Sequence, residues 1–506
     1  MLPKATSEWK RSEARHLLNR AGFGGTPEEV DVFHSLGREK AVDALLDVEG
    51  KGEALPLPEW ATLEQTIADM QGRLEQRRTI QEKSKGLSAA EAEKLRQTSF
   101  QEMQRDNRRR ALESQGWWFK RILVTKAPLR EKMTLFWHDH FATSILKVKQ
   151  PVLMMNQNEL FRDHAFGNYR ELTQKIVRDP AMMLYLDTQM SSKAQPNENF
   201  ARELMELFTL GEGNYTEEDV REAARAFTGF KLNRLNGTVM QSASAWDDGV
   251  KKIFGKSGAF NGADVVNLIF KKDECAEFMV RKLWEFFAYE TPEDSVVKSL
   301  APSFRSGGYE VKPLLREMFL SQDFYHERAM GSQVKCPVQY LVQMLKELEV
   351  EEPPLGLPIM GQTQLGQVLF MPPNVAGWDW GKAWINTNTL LTRYNIAGSL
   401  IKGSGMKMGD GDNRMGAMLE RMNRRKTVEG GSSVPDFAKI APETDRADTE
   451  ALVDRLIERF FGVPIPDKAR KSFIAYADSM KGENFTNETL GELCHLMLST
   501  PYYQLC

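Results

Sequence analysis

Apolar and polar positions separate most clearly between Pro196 and Gly211. At about 100° per residue, an apolar face carries Phe200, Leu204, Leu207 and Phe208, and the opposite face is polar. Helix-start signals recur elsewhere, at Thr26–Glu29, Ser88–Glu91 and Thr216–Asp219. Stretches that alternate between apolar and polar residues are scarce. The pattern predicts a mainly α, multi-helical body with a few irregular or short β excursions.

The same pattern divides the chain into five predicted regions. Residues 59–126 are rich in Gln, Glu, Arg and Lys and predict a long charged helical hairpin that is broken at Lys85–Ser88. The pattern loosens between Asn233 and Gly262, which predicts a long loop or a small β excursion. We expect an N-terminal helical segment over 1–58, the hairpin over 59–126, a main helical domain over 127–400, a Gly/Pro/Ser-rich linker region over 401–449 and a C-terminal helical subdomain over 450–506.

Composition narrows the class of protein. The 506 residues are 41% hydrophobic and 27% charged, with a net charge of −3. Such a near-neutral chain lacks the basic surplus of a nucleic-acid binder, and no apolar run reaches the roughly 20 residues of a membrane span. Without a signal-peptide pattern, the sequence as given predicts a soluble cytoplasmic protein, or an exported one if its natural N-terminus is longer. The four cysteines show no metal-type spacing and are predicted to be free thiols.

The polar face of the 196–211 helix is the first candidate site. Asn199, Arg202, Glu203 and Glu206 share this face. Such a density of carboxylates and amides suits a metal site or an acid–base site. The alternative is a ladder of ion pairs, in which Arg202 pairs with Glu198 and Glu206 at four-residue spacing.

A second candidate is the segment Phe136–Phe141, in which His138 and His140 flank an aspartate. In a regular helix the two imidazoles diverge by about 200°, so both bind one ion only from an extended segment or a helix end. A divalent transition metal such as zinc, manganese or iron needs further ligands, for which Asn199, Glu203 and Glu206 are candidates. The alternative is a buried, hydrogen-bonded pair of histidines among aromatic rings.

The third candidate is the tryptophan-rich segment Met371–Asn388. Its three tryptophans, two prolines and several amides predict a rigid loop with aromatic walls, which suits a sugar or an aromatic ligand. The alternative is that the tryptophans only clamp the structure. The candidate ligand-binding residues are Asn197, Asn199, Asn374, Trp378 and Trp384.

Eight segments together resemble one bacterial family. They are His16–Gly24, Phe136–Ser144, Asp179–Met182, Tyr185–Asp187, Pro196–Gly211, Tyr215–Val220, Ala224–Gly229 and Pro372–Trp378. The chain resembles the family called domain of unknown function 1800 over nearly its whole length. That family has no generally established activity. Its members are often encoded beside a second uncharacterised family, domain of unknown function 1501, so the resemblance implies a paired or exported role.

One departure from the family pattern concerns the segment Ala245–Gly249. Family members commonly show a histidine before an aspartate and a glycine, whereas this chain reads Ala-Trp-Asp-Asp-Gly. If that histidine is a ligand elsewhere, the equivalent site here is altered or lost.

Three functional hypotheses follow. The first is a metal-dependent enzyme, hydrolytic or oxidative, with His138 and His140 as ligands, Glu203 or Glu206 as a further ligand or general base, and Arg202 beside them. The second is a noncatalytic binding or assembly protein that presents the tryptophan-rich segment and the charged hairpin to a partner. The third is a glycan-directed protein, which binds sugar through the tryptophans or uses Glu203 and Glu206 as paired carboxylates.

Overall fold

The computed structural model describes residues 2–48, 55–233, 238–353, 356–403, 433–482 and 485–506. Of the chain, 64% is helical and 5% is strand, which confirms the prediction of a mainly α fold. Most of the region predicted as a Gly/Pro/Ser-rich linker, residues 404–432, lies outside the described residues.

Three short helices open the chain: α1 (Arg11–Ala21), α2 (Pro27–Leu36) and α3 (Arg38–Leu46). The predicted capping box at Thr26 is confirmed. The Thr26 amide donates to Glu29 Oε2 at 2.9 Å, and the Glu29 amide donates to Thr26 Oγ1 at 3.3 Å. Because both orphan amides are satisfied locally, α2 begins where the sequence places it.

The charged hairpin is confirmed as α4 (Leu63–Ser84) and α5 (Ala89–Val124), with the break at the predicted place. Arg110 of α5 joins the two helices through an ion pair with Asp69 of α4, and it also pairs with Asp106, one turn earlier on α5. The outer part of the hairpin is mostly exposed, whereas the last turns of α5 are buried and include Trp118. The helix α5 therefore anchors in the body at one end and presents a polar surface at the other.

The central body contains most of the segments of interest. Its helices are α6 (Pro128–His140), α7 (Ile145–Val148), α8 (Pro151–Asp163), α9 (Tyr169–Ile176), α10 (Pro180–Tyr185), α11 (Glu198–Glu203) and α12 (Glu217–Ala226). A π-helical turn, Leu204–Thr209, continues directly from α11.

The loosened segment after α12 forms two antiparallel two-stranded sheets. The strands are β1 (Phe230–Leu232), β2 (Val239–Gln241), β3 (Lys251–Ile253) and β4 (Lys256–Gly258), paired β1 with β2 and β3 with β4. Phe230 pairs with Gln241, and Lys251 with Gly258. The predicted β excursion is confirmed for the residues that the structure describes.

Helices form the rest of the chain. They are α13 (Gly262–Ile269), α14 (Asp273–Phe287), α15 (Asp294–Ser306), α16 (Val311–Leu320), α17 (Pro337–Glu347), α18 (Gly356–Leu365), α19 (Thr387–Ile401), α20 (Phe437–Ile440), α21 (Thr449–Phe460), α22 (Asp467–Met480) and α23 (Asn487–Leu498). Single 3₁₀ turns lie at Glu59–Ala61, Thr188–Met190, Asp323–Tyr325, Gly381–Trp384, Glu443–Asp445 and Pro501–Gln504.

One hydrophobic core runs through the described residues, from Leu2 to Tyr503. The C-terminal helices join it through buried residues such as Leu452, Phe460 and Leu490. All four cysteines are free, as expected. None of the described helices combines the length and the apolar composition that a bilayer crossing needs.

The helix α6 is held in place by a buried ion cluster. Glu131 is fully buried and accepts hydrogen bonds from Trp118 Nε1 at 3.0 Å, Arg121 Nε at 3.1 Å and Arg162 Nε at 2.6 Å. These partners lie on α5 and α8. A buried carboxylate with two charged donors and one neutral donor ties three helices together and so fixes the N-terminal end of α6.

Candidate functional site

The two histidines of α6 point in different directions. The segment is regular helix up to His140, its last residue, so the imidazoles diverge as the spacing of two residues requires. Asp139 lies between them along the helix. The structure therefore does not bring His138 and His140 to one point.

His138 lies in an aromatic enclosure. Its ring packs against Trp118 at 5.4 Å, Trp378 at 5.6 Å and Phe370 at 5.7 Å between centroids. Nε2 has no hydrogen-bond partner among the described residues. Burial lowers the pKa of His138 to about 3, so this imidazole is neutral at physiological pH.

His140 is neutral as well, but its ring has one nitrogen engaged and one free. Nε2 lies 3.0 Å from the carbonyl oxygen of Phe208. Because a carbonyl only accepts, Nε2 carries the proton and Nδ1 carries a lone pair. Nδ1 is buried and has no partner among the described residues. Burial, with the nearby charge of Lys282, holds the pKa of His140 well below its usual value.

The pKa of Asp139 is shifted upward, whereas those of the two histidines are lowered. Oδ1 accepts a 2.7 Å hydrogen bond from the Trp378 amide. Burial raises the pKa of Asp139 to about 7, although that hydrogen bond and the charge of Lys282 oppose the rise. The backbone of Gly377 approaches so closely that an added Cβ would lie 2.4 Å from Oδ1. Gly377 also has φ +89°, a conformation that suits glycine.

The Phe208 carbonyl, which accepts the hydrogen bond from His140, belongs to the π-helical turn. Within this turn the Leu210 amide donates to the Met205 carbonyl at 2.8 Å, five residues back. The Phe208 carbonyl is thereby left to accept from both His140 Nε2 and the Tyr169 hydroxyl. A uniform helical period over Pro196–Gly211 is therefore wrong after Leu204. Such π-helical turns are frequent at functional sites.

Of the two ion pairs predicted for Arg202, only the one with Glu198 is confirmed. Arg202 Nη2 lies 3.5 Å from Glu198, four residues earlier. Its main partner is Glu217, bound through two 2.7 Å hydrogen bonds. Glu206 instead accepts a 2.6 Å hydrogen bond from the Tyr215 hydroxyl. The pairing of Arg202 with Glu206 was wrong, because the π-helical turn begins at Leu204 and Glu217 of α12 competes for the guanidinium.

Glu203 is half-buried beside Glu206 and Tyr185. Burial and the charge of Glu206 raise the pKa of Glu203, whereas Arg202 lowers it. Burial, together with the charge of Glu203, raises the pKa of Tyr185. The two glutamates therefore form one group with the tyrosines, and Asp139 and His140 form another group with Lys282.

The two asparagine side chains of this region differ, because that of Asn197 is structural and that of Asn199 is exposed. Asn197 caps α11, because its Oδ1 accepts from the Asn199 amide at 3.0 Å, and its Nδ2 donates to the carbonyls of Leu186 and Asp187. Asn199 itself is exposed on the surface of α11. Its role in ligand binding stays a prediction.

The tryptophan-rich segment is a tight loop that buries two of its tryptophans. Trp378 and Trp384 belong to the core. Trp380 is 43% exposed and packs edge-on against Phe286 of α14, with 5.2 Å between ring centroids. Asn374 is exposed, and its Oδ1 accepts from the Ala376 amide at 2.8 Å. The ring available to a ligand is therefore that of Trp380, which the sequence did not distinguish from its neighbours.

Lys282 of α14 completes the arrangement. Its charge acts on both Asp139 and His140, and its ammonium lies 5.7 Å from the Phe278 ring centroid. Lys282 forms no hydrogen bond or ion pair with any residue that the structure describes. Phe286, against which the Trp380 ring packs, lies one helical turn further along α14. Nothing in the sequence singled out this lysine.

The described residues contain no preformed cluster of metal ligands. In the described ranges, no group of three or more His, Cys, Asp or Glu side chains is arranged to hold a metal ion. The prediction of a zinc, manganese or iron site is neither confirmed nor contradicted by this geometry.

The segment that departs from the family pattern is held by an ion pair. Asp247 receives Arg225 Nε at 2.8 Å and Nη2 at 3.2 Å, and its Oδ1 also accepts the Gly249 amide. The carbonyl of Ala245 accepts from the Lys193 amide. In this chain Ala245–Gly249 is stabilised by Arg225, and no imidazole is present in the segment.

Comparison with known proteins places the chain in a family without a known activity. The family model described as "Protein of unknown function (DUF1800)" matches residues 16–505, which is nearly the whole chain. No curated protein and no solved structure matches it.

Proposed function

This chain belongs to the DUF1800 family of unknown function, and we propose that it is a hydrolytic enzyme in which Asp139 and His140 transfer protons. The observation that carries the proposal is the opposite shift of two adjacent groups. Asp139 has a pKa of about 7, and the pKa of His140 is well below its usual value. Environments that push two pKa values apart in this way are characteristic of acid–base pairs.

The roles follow from the protonation states. Near pH 7 a substantial fraction of Asp139 is protonated and can donate a proton to a leaving group, whereas His140 is neutral and offers the Nδ1 lone pair to an attacking water. The proton that His140 takes from water and the one that Asp139 gives to the leaving group balance over one turnover. The Phe208 carbonyl fixes the tautomer of His140.

Lys282 and Trp380 supply the binding chemistry in this scheme. The ammonium of Lys282, which no described carboxylate contacts in an ion pair, attracts an anionic group of a substrate or stabilises negative charge that develops during the reaction. The exposed Trp380 ring, which packs against Phe286 of the same helix α14, offers a flat apolar surface. Asn374, in the same loop, is a candidate hydrogen-bond partner for the ligand. Together these groups favour a substrate that carries both an anionic and an apolar or sugar-like part.

The proposal is tested by turnover of chromogenic substrates. We expect the wild-type chain to hydrolyse at least one class among p-nitrophenyl esters, phosphates, sulfates and glycosides, and Asp139→Asn to lower kcat by about 100-fold or more. Asp179→Asn is the matched control, because burial also raises the pKa of Asp179 to about 7 but its carboxylate caps α10 instead. No turnover of any class, or equal rates for the two variants, would contradict the proposal.

A metal ion is a proposal within the same site. Nδ1 of His140 and the carboxylate of Asp139 are the donors that remain, and an ion there would lower the pKa of a bound water. Elemental analysis of the purified chain and of His140→Ala separates the two mechanisms. About one equivalent of zinc, manganese or iron that disappears in the variant supports the metal, and turnover without metal supports His140 as the base.

An assembly role is a second candidate, favoured by the charged hairpin. Its outer part is largely exposed, and Phe100 is an exposed aromatic residue on α5. By family resemblance, the expected partner is a protein of the 1501 family. Co-purification of the two chains, lost with Phe100→Ser but kept with Asp139→Asn, supports this role, and a strictly monomeric chain beside its co-expressed partner contradicts it.

A further inference from the structure

A polar cavity of about 560 Å³ lies between α9 and the end of α13. This volume falls in the range of roughly 300–1,000 Å³ that is usual for small-molecule sites. None of its lining residues belongs to the candidate site described above. The residues that line it are Arg170, Glu171 and Gln174 of α9, Asn267 of α13, and Phe270 and Lys271 directly after α13.

Two cationic side chains, those of Arg170 and Lys271, line this cavity from opposite elements. Both are exposed, and neither forms a side-chain hydrogen bond or an ion pair within the described part of the chain. Only the backbone of Lys271 is engaged, since its carbonyl accepts a 2.7 Å hydrogen bond from Arg305 Nη2. Arg305 itself pairs with Asp273. The guanidinium and the ammonium are therefore available to an anionic group.

The other polar groups of the cavity are one carboxylate and two amides. Gln174 Nε2 donates to the Ala263 carbonyl at 2.9 Å and lies 3.4 Å from Asn267 Oδ1. Gln174 Oε1, Asn267 Nδ2 and the carboxylate of Glu171 have no partner among the residues that the structure describes. The cavity thus offers a ligand one neutral donor and two kinds of acceptor, besides its two cations.

Phe270 fixes the apolar part of the wall. Its ring packs edge-on against Tyr169, with 4.9 Å between centroids, and against Tyr309, with 4.7 Å. Its carbonyl accepts a 2.9 Å hydrogen bond from the Tyr309 hydroxyl. Because these contacts belong to the hydrophobic core, the wall is preformed, and a ligand does not have to order it on binding.

The charges of the lining favour a ligand with a single negative charge. Arg170 and Lys271 contribute two positive charges and Glu171 one negative charge, which leaves a net charge of +1. A zwitterionic amino acid leaves this charge unbalanced, and the dianion of a phosphate ester exceeds it. Hydroxyl groups both donate and accept, so they match Asn267 Nδ2 as well as Glu171 and Gln174 Oε1.

We propose that this cavity binds a small acidic sugar of the uronate class, which combines one carboxylate with several hydroxyls. The carboxylate binds the Arg170 guanidinium and the Lys271 ammonium. The hydroxyls bind Glu171, Gln174 and Asn267, and the Phe270 ring provides the apolar wall. The site is separate from Asp139 and His140, so the inference does not rest on the proposed hydrolytic activity.

Saturation-transfer NMR with D-glucuronate and D-galacturonate at low ionic strength tests this site. We expect at least one uronate to bind the wild type with a Kd below about 10 mM, and neutral D-glucose to bind at least about tenfold more weakly. Arg170→Ala and Lys271→Ala change exposed side chains, so both variants should fold, and each should weaken uronate binding at least about fivefold. Lys175→Ala is the matched control. It removes an exposed lysine of α9 that does not line the cavity and should bind the uronate as the wild type does.

Three results would overturn the proposal. The first is no saturable binding of either uronate below about 10 mM. The second is tighter binding of glucose 6-phosphate or of glutamate than of the uronates, which contradicts the selection of a monovalent sugar. The third is uronate binding that Arg170→Ala leaves intact and Lys282→Met abolishes, because the sugar would then lie at the candidate site of α6 and α14. Absence of hydrolytic turnover does not affect any of these measurements.

Discussion

The backbone amide of Trp378 donates a 2.7 Å hydrogen bond to Oδ1 of Asp139, a residue 239 positions earlier. This bond joins the end of α6 to the tryptophan-rich loop and presents the carboxyl to a largely apolar surrounding. It also explains the glycine at position 377, whose backbone passes within reach of the same oxygen. The position of the loop and the protonation of Asp139 are consequently coupled.

Replacing Gly377 tests the close approach of this loop. In Gly377→Ala the new Cβ would lie 2.4 Å from Asp139 Oδ1 and 2.7 Å from its carbonyl oxygen. Gly213→Ala is the matched control, because Gly213 has a similar φ of +81° but open space around it. Urea denaturation should show a loss of about 1 kcal/mol for Gly213→Ala and at least about 2 kcal/mol more for Gly377→Ala. Equal losses would mean that the loop is not in contact with Asp139.

The raised pKa of Asp139 predicts a pH-dependent stability difference. Between pH 3.8, which is the ordinary pKa of the carboxyl, and about pH 7, the folded state keeps the proton that the unfolded state has lost. Asp139 therefore makes the protein less stable as the pH rises through this range. Asp139→Asn keeps the acceptor for Trp378 and removes the titration. The variant should gain stability over the wild type between pH 4 and pH 7, by up to about 4 kcal/mol. A difference that stays constant with pH would contradict the shift.

The π-helical turn predicts a measurable role for Tyr169. Its hydroxyl donates to the Phe208 carbonyl that also receives His140. Tyr169→Phe removes one donor and leaves the other, so it should cost about 1 kcal/mol of unfolding free energy. Tyr476→Phe changes an exposed tyrosine and should cost almost nothing. If both variants are as stable as the wild type, the shared carbonyl is not a stabilising contact.

The two histidines of α6 should not titrate in the usual range. Burial lowers the pKa of His138 to about 3 and that of His140 well below its ordinary value. NMR of the chain labelled at histidine, with signals assigned from His138→Phe and His140→Phe, should show both rings neutral from pH 8 down to pH 5. A midpoint above pH 6 for either ring would contradict the lowered pKa values.

The helical parts of this fold were predictable because their signals are local. The capping box at Thr26 and the hairpin break at Lys85–Ser88 depend on residues within a few positions of each other. The π-helical turn was not predictable from period alone. It leaves the Phe208 carbonyl to His140 and Tyr169, and these partners are distant in sequence.

The candidate site was predictable only in part. The segment around His138 and His140 and the tryptophan-rich loop were both identified, yet the sequence did not single out Lys282, whose charge acts on Asp139 and His140, or Trp380 as the exposed ring of the loop. A lysine on an amphipathic helix has no sequence signal of its own, and which tryptophan stays exposed depends on how the loop packs against α14. The cations Arg170 and Lys271 were missed for the same reason, since the cavity that they line forms only when α9 and α13 pack together.

The coupling of Asp139 to Lys282 is tested most directly by the titration of the Asp139 carboxyl. Carbon-13 NMR of the wild type and of Lys282→Met, with the signal assigned from Asp139→Asn, gives the pKa in both proteins. The account predicts a midpoint near 7 in the wild type and a higher one in Lys282→Met, because the lysine charge that favours the carboxylate is gone. A midpoint close to the ordinary value of 3.8, or one that Lys282→Met leaves unchanged, would contradict it.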